Sequence, residues 1–235
     1  MLKMGLHVVS YLGCFMFVVL MSACSSNVIS IDSKDSTKFT TLETSIPLSK
    51  QRIDRIKLRA TRVSGDYSQS VPSGKLVVIE DNQIQGPADV SGTTDLTYVS
   101  IGYGADDIFT SDDWLDGRLR ARGYLGLAQT DMDLTLVHEG TTYRTSDKTI
   151  ELYMQVGVSY AITPALHGGG TWATTLGSYF SGINEIDLRL DYALLKHLKI
   201  MAGYRWFEYN YLVDEDDSTI RVKFRGPFVG LYIPF

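Results

Sequence analysis

The sequence predicts an all-β fold: a closed, antiparallel transmembrane β-barrel of eight strands. Three observations predict it. Apolar residues recur at every second position over several runs, and period two means strand. Each run covers roughly 9–11 residues, the length of a tilted strand crossing a bilayer. Aromatic residues make up 11% of the chain, with 14 Tyr, and several fall near the ends of those runs, where interface girdles of such barrels sit.

Length and charge narrow the classes further. A chain of 235 residues is one domain or two small ones. Lys and Arg total 22 and Asp and Glu 27, a net charge of −5, so no nucleic-acid partner is expected. A hydrophobic content of 44% excludes a disordered chain. Two Cys support neither a disulfide-dense scaffold nor a four-thiolate zinc site.

The first element is an address. Lys3 supplies a positive start, residues 8–21 are almost wholly apolar, and Ser22 and Ala23 precede Cys24. The run is too short for a spanning helix. Met21-Ser22-Ala23-Cys24 resembles the bacterial lipobox, with Met21 where Leu is usual. That resemblance implies removal of residues 1–23 as a lipoprotein signal peptide and acylation of Cys24, palmitate being a typical chain. Several acyl chains anchor stably where one does not. Ser25 stands where enterobacterial inner-membrane lipoproteins resemble one another in carrying Asp, which implies the outer membrane of a Gram-negative cell. Residues 24–51 are rich in Ser, Thr and Asp and read as a tether.

The barrel is expected over 52–235, with strands near 52–64, 94–104, 117–138, 149–161, 165–176, 183–195, 197–212 and 219–235. Ile150, Leu152, Met154, Val156, Val158 and Tyr160 share a face against Glu151, Tyr153, Gln155, Gly157 and Ser159. Ile186, Leu188, Leu190, Tyr192 and Leu194 do the same against Asp187, Arg189 and Asp191. Ile162-Thr163-Pro164 and Leu195-Lys196-His197 read as short turns on one side. The segments after 64, 138, 176 and 212 read as outward loops, while 106–116 is a long acidic turn on the short-turn side. In the last strand the apolar set changes from Ile220, Val222 and Phe224 to Val229, Leu231, Ile233 and Phe235. A β-bulge at Gly226-Pro227 is the expected device for that slip.

The chain ends Gly230-Leu231-Tyr232-Ile233-Pro234-Phe235. This resembles the C-terminal assembly signal of small bacterial outer-membrane β-barrels of the OmpA/OmpX/OmpW-like pattern. Gly230, Leu231, Ile233 and Phe235 fit the spacing, while Phe228 stands where a polar residue is usual. The resemblance implies outer-membrane lipids and the barrel-insertion machinery as partners. A lipid-tethered, lipocalin-like soluble barrel with its apolar face inward remains the alternative.

Charged residues opposite the apolar faces assign a luminal network of Arg118, Arg120, Arg122, Glu151, Asp187, Arg189, Asp191 and Arg205. Arg221, Lys223 and Arg225 are assigned inward as well. Such charge inside eight strands is either a paired plug or a basic vestibule for an anionic ligand. No phosphate loop, zinc motif or nucleophile elbow is present, so neither cofactor nor metal is expected. Gly168-Gly169-Gly170 reads as a place where a strand bends or packs closely. His138, His167 and His197 fall on opposite sides of the membrane in this topology, and no catalytic residue is assigned. The acidic runs around 106–113 and 214–217 read as solvated loops. The expected function is a non-enzymatic structural or accessory module that displays outward loops to an envelope partner or anionic glycan. A narrow conduit and a lipid A-modifying acyl enzyme are the alternatives.

Overall fold

The computed structural model describes residues 27–32, 37–48, 54–79, 82–106, 118–176, 182–213 and 218–235. Among them there is no helix. The strands are β1 (Asn27–Asp32), β2 (Lys38–Pro47), β3 (Asp54–Val71), β4 (Leu76–Ile79), β5 (Asn82–Gln85), β6 (Ala88–Ala105), β7 (Leu119–His138), β8 (Thr141–Ala161), β9 (Leu166–Leu176), β10 (Gly182–Leu195), β11 (Leu198–Val213) and β12 (Ser218–Pro234). The expected signal segment and Cys24 lie outside the described residues.

The chain forms a closed barrel of nine strands. β2, β3, β6, β7, β8, β9, β10, β11 and β12 follow one another as antiparallel neighbours, and β12 closes on β2 in parallel register. An odd number of up-and-down strands leaves one pair pointing the same way, and this seam is that pair. β1 extends it, running parallel to β12 from Asn27↔Ser218 to Asp32↔Lys223.

The expectation of eight antiparallel strands is thereby corrected to nine with one parallel pair. The missed strand lies within the expected 24–51 tether. On β2, Phe39, Thr41, Glu43 and Ser45 are buried, while Thr40 and Leu42 are exposed. Four of these six are Ser, Thr or Glu, so hydrophobicity carries almost no period-two signal, although the backbone alternates.

The two ends of the barrel differ. One carries the short turns at 162–165 and 196–197, together with Phe235. The other carries the β4–β5 hairpin and the two-residue turn Glu139-Gly140. Both residues of that turn have positive φ, 49° and 79°, as a primed hairpin turn requires. β7 and β8 are 20 and 21 residues long and pair from Leu119↔Tyr160 to His138↔Thr141. β8 therefore starts well before the expected residue 149.

Polarity inverts along the barrel axis. Near the short turns the outer face is apolar: Leu42, Val99, Ile101, Tyr103, Leu125, Leu127, Leu152, Val158, Ile186, Leu188, Leu190, Tyr192, Tyr204, Trp206, Val229 and Leu231 are all exposed. The inner face at that level carries charges. Toward the hairpin end Val63, Tyr67, Leu96, Met132, Leu134, Leu136, Ile183, Phe207, Tyr209, Ile220, Val222 and Phe224 pack inside. The outer positions there are polar, among them Arg62, Asp95, Asp131, Asp133, Arg144 and Lys148. Val77, Ile79 and Ile84 of the β4–β5 hairpin are buried in the same cluster. This half is an apolar dome.

The inversion explains β12. Its register with β11 runs unbroken from Val213↔Ser218 to Lys199↔Tyr232. There is no bulge at Gly226-Pro227. Even positions point inward throughout, and the apolar set changes because the interior changes from apolar to polar. Arg221, Lys223 and Arg225 are consequently on the outer face, where Arg221 Nε pairs with Glu208 Oε1 at 3.0 Å. Their inward assignment is corrected.

Gly169 marks a close approach between strands. A Cβ there would stand 2.3 Å from the Val158 carbonyl oxygen, so the glycine run serves packing between β8 and β9.

Candidate functional site: a charged lumen beneath the dome

Strand alternation puts one ionisable side chain every second residue into the lower lumen. β2 contributes Glu43, β3 contributes Lys57 and Arg59, β10 contributes Glu185, Asp187, Arg189 and Asp191, and β11 contributes Arg205. Four carboxylates meet four cations, and all are buried. Such charges are tolerated inside a protein only when paired and hydrogen-bonded.

The pairing is dense. Arg205 holds Asp187 in a two-point grip, Nε to Oδ1 at 2.6 Å and a terminal nitrogen to Oδ2 at 2.8 Å. Its other terminal nitrogen donates to Thr41 Oγ1 at 2.8 Å. Arg59 bridges Glu185 and Asp187, the latter at 3.1 Å. Tyr98 OH donates to Glu185 Oε2 at 2.9 Å. Glu43 receives Lys57 at 3.0 Å and Arg189 at 3.1 Å. Arg189 Nε lies 3.2 Å from Asp191. Aromatic faces complete the wall: the Arg205 guanidinium carbon lies 4.5 Å from the Phe228 ring centroid and 5.4 Å from that of Phe39. Such stacking stabilises a desolvated cation.

Toward the short-turn end the lumen meets a polar mouth. Arg122 donates to Thr171 Oγ1 at 2.8 Å. Arg55 pairs with Asp106 at 3.0 Å, and Tyr124 OH donates to the same carboxylate. Both atoms of the Gln155 side-chain amide are buried without a protein partner, an environment suited to ordered water. On the dome side burial pushes the phenols of Tyr67 and Tyr209 up, and Tyr209 donates to Asp147.

The luminal residues expected from sequence separate into three groups. Asp187, Arg189, Asp191 and Arg205 come together in the network. Glu151 is buried on the inner face of β8, and Arg122 is half-buried near the mouth. Arg118 and Arg120 are exposed at the start of β7, outside the packed network. Sequence reasoning missed Glu43, Lys57, Arg59, Glu185 and Tyr98. The signal for two of them was present: Ile56, Leu58 and Ala60 alternate with Lys57 and Arg59.

The terminal residues lie on the seam. Gly230 faces inward beside Thr41, Leu231 and Phe235 are exposed, and Ile233 pairs with Thr44 in the parallel register. The Phe235 amide donates to the Ser45 carbonyl at 3.0 Å. His138 Nδ1 lies 3.1 Å from the Asp89 carbonyl oxygen at the hairpin end, and His197 Nδ1 lies 3.2 Å from the Pro234 carbonyl oxygen at the other. Asp107, Asp112, Asp113 and the acidic 214–217 run lie outside the described residues. Compared with known protein families, curated proteins and solved structures, the chain matches none.

Proposed function

We propose that the chain is an outer-membrane β-barrel lipoprotein of the small-barrel type, acting as a non-enzymatic structural or accessory module. The observation that carries this reading is the apolar ring on the outer face of the barrel, running from Leu42 on β2 round to Leu231 on β12. Exposed apolar area on this scale marks a surface that meets lipid or protein. On β10 the apolar outer positions span Ile186 to Leu194, nine residues, which matches a tilted strand in a bilayer. Trp172, whose indole nitrogen donates to Asn184 Oδ1 at 2.8 Å, and Trp206 stand at the upper edge of the ring. Tyr103, Tyr160 and Tyr192 lie toward the lower edge.

The dome would stand clear of the membrane and carry the outward loops. Arg221, Lys223 and Arg225 line its outer face on β12 and suit an anionic glycan or headgroup. A conduit is disfavoured because the paired lumen and the apolar dome fill the barrel in series. An acyl-transfer enzyme is disfavoured because His138, on the Asp89 carbonyl, and His197, on the Pro234 carbonyl, stand at opposite ends of the barrel and cannot serve one site.

The test is expression of the full chain followed by membrane separation, gel mobility with and without heating, and planar-bilayer recording. A heat-modifiable species in the outer-membrane fraction without single-channel conductance is expected. A water-soluble species after Cys24→Ser would overturn the membrane reading. Stable conductance steps would favour the conduit.

A further inference from the structure

We infer that the N-terminal end of the mature chain, with any lipid on Cys24, leaves the barrel at the dome end, opposite Phe235, so that the anchor enters the leaflet on the dome side. On the outer-membrane reading proposed above, this makes the protein a lipoprotein anchored from the cell surface.

The inference follows from strand parity. With an even number of antiparallel strands both termini leave at the same end. Here nine strands close through a parallel pair. β2 therefore descends beside β12, and both finish at the short-turn end, where Phe235 binds Ser45. The chain enters β2 from the dome side. β1 extends this path upward, placing Asn27 beside Ser218 at the far end of β12.

Chain reach excludes the other leaflet. Cys24 lies three residue steps before Asn27, about 10 Å of extended chain. β12 has 17 residues, about 55 Å along the strand. Complete release of β1 would free residues 24–37, about 45 Å of chain. That chain could reach the far leaflet only by crossing hydrocarbon with an unpaired backbone, at several kcal/mol for each unsatisfied group. The lumen offers no passage, because Arg59, Arg205 and Phe207 fill it. The near leaflet is within range. The upper edge of the apolar ring lies about 20 Å below Asn27 along the axis, from the strand rise and tilt. Ten ångströms of chain do not cover that gap, whereas the chain freed from β1 does. Insertion of the lipid therefore requires β1, which among the described strands is paired with β12, to release.

The experiment uses full-length protein in cells with an epitope inserted between Ser26 and Asn27. A membrane-impermeant amine reagent reports Lys75, beside the β4–β5 hairpin, and Lys196, in the β10–β11 turn, in the same cells. The expected result is an epitope signal from intact cells within twofold of that from permeabilised cells. Lys75 should label in intact cells and Lys196 only after permeabilisation. An epitope hidden until permeabilisation while Lys75 labels would overturn the inference and leave the orientation intact. Lys196 labelling on intact cells while Lys75 is protected would overturn the orientation on which the surface assignment rests. Limited proteolysis of intact cells carrying the unmodified chain gives the same readout if the insertion prevents folding: removal of the N-terminal peptide is expected, and its full protection would overturn the inference. Radiolabelled palmitate should be lost in Cys24→Ser, and its retention would overturn the lipid part.

Discussion

The Arg205 guanidinium grips the Asp187 carboxylate along one edge while its face lies 4.5 Å above the Phe228 ring. One side chain thereby ties β10, β11 and β12 together inside the barrel. Asp187→Ala leaves this guanidinium and that of Arg59 short of a partner in a buried site. A loss of about 3–5 kcal/mol is expected, read as a lower denaturant midpoint of the folded, heat-modifiable form. The paired replacement Asp187→Leu with Arg205→Met should cost less than Asp187→Ala alone, because no charge is stranded between them.

The dome is a second stability unit. Leu96 and Met132 are fully buried beneath the hairpin and face each other across β6 and β7. Leu96→Ala should destabilise by about 2–5 kcal/mol through lost transfer energy and a cavity. Protease resistance of the hairpin, followed by cleavage after Lys75, should fall with it.

The parallel seam is open to a direct chemical test. Leu42 and Leu231 are Cα partners on β2 and β12. Neighbouring strands bring Cα atoms within the about 4.4–6.8 Å that a disulfide accepts. Leu42→Cys with Leu231→Cys, in a Cys24→Ser background, should crosslink under mild oxidant and shift gel mobility. Leu42→Cys with Val229→Cys, two residues off register, should crosslink less.

The outer position of the β12 cations predicts a small effect. Lys223→Gln should change stability by less than about 0.5 kcal/mol, as surface substitutions usually do. An inward, paired cation would cost several kcal/mol, so chemical denaturation separates the two placements.

Deletion of Phe235 removes the amide that binds Ser45 and the terminal aromatic side chain. Slower appearance of the heat-modifiable form is expected. Unchanged folding kinetics would count against the terminal signal.

Most of β10 was legible because residues 185–194 lie in the lower half of the barrel, where polarity alternates cleanly outward and inward. The same logic failed on β12, which passes from dome to ring. Its apolar residues switch parity while its side chains do not switch faces, and a sequence pattern cannot distinguish that from a bulge. Glu43 was hidden for a related reason: β2 pairs small polar residues with single apolar ones, so its closure depends on the register with β12 and β3. The odd strand count, and with it the exit of the N-terminus, is a property of that closure. It is carried by contacts far apart in sequence, such as the hydrogen bond from the Thr44 hydroxyl to the Ile233 carbonyl, 189 residues away. Local periodicity holds no record of them.

The central claim is that the apolar ring faces lipid while the charges face inward, and β10 tests it most directly. Photoreactive labels placed singly at positions 188, 189 and 190 would be activated in native membranes. Leu188 and Leu190 are exposed on the ring, and Arg189 is buried against Glu43. The account predicts crosslinks to acyl chains from 188 and 190 and none from 189. Protection of both 188 and 190 from lipid, with the barrel folded, would contradict it.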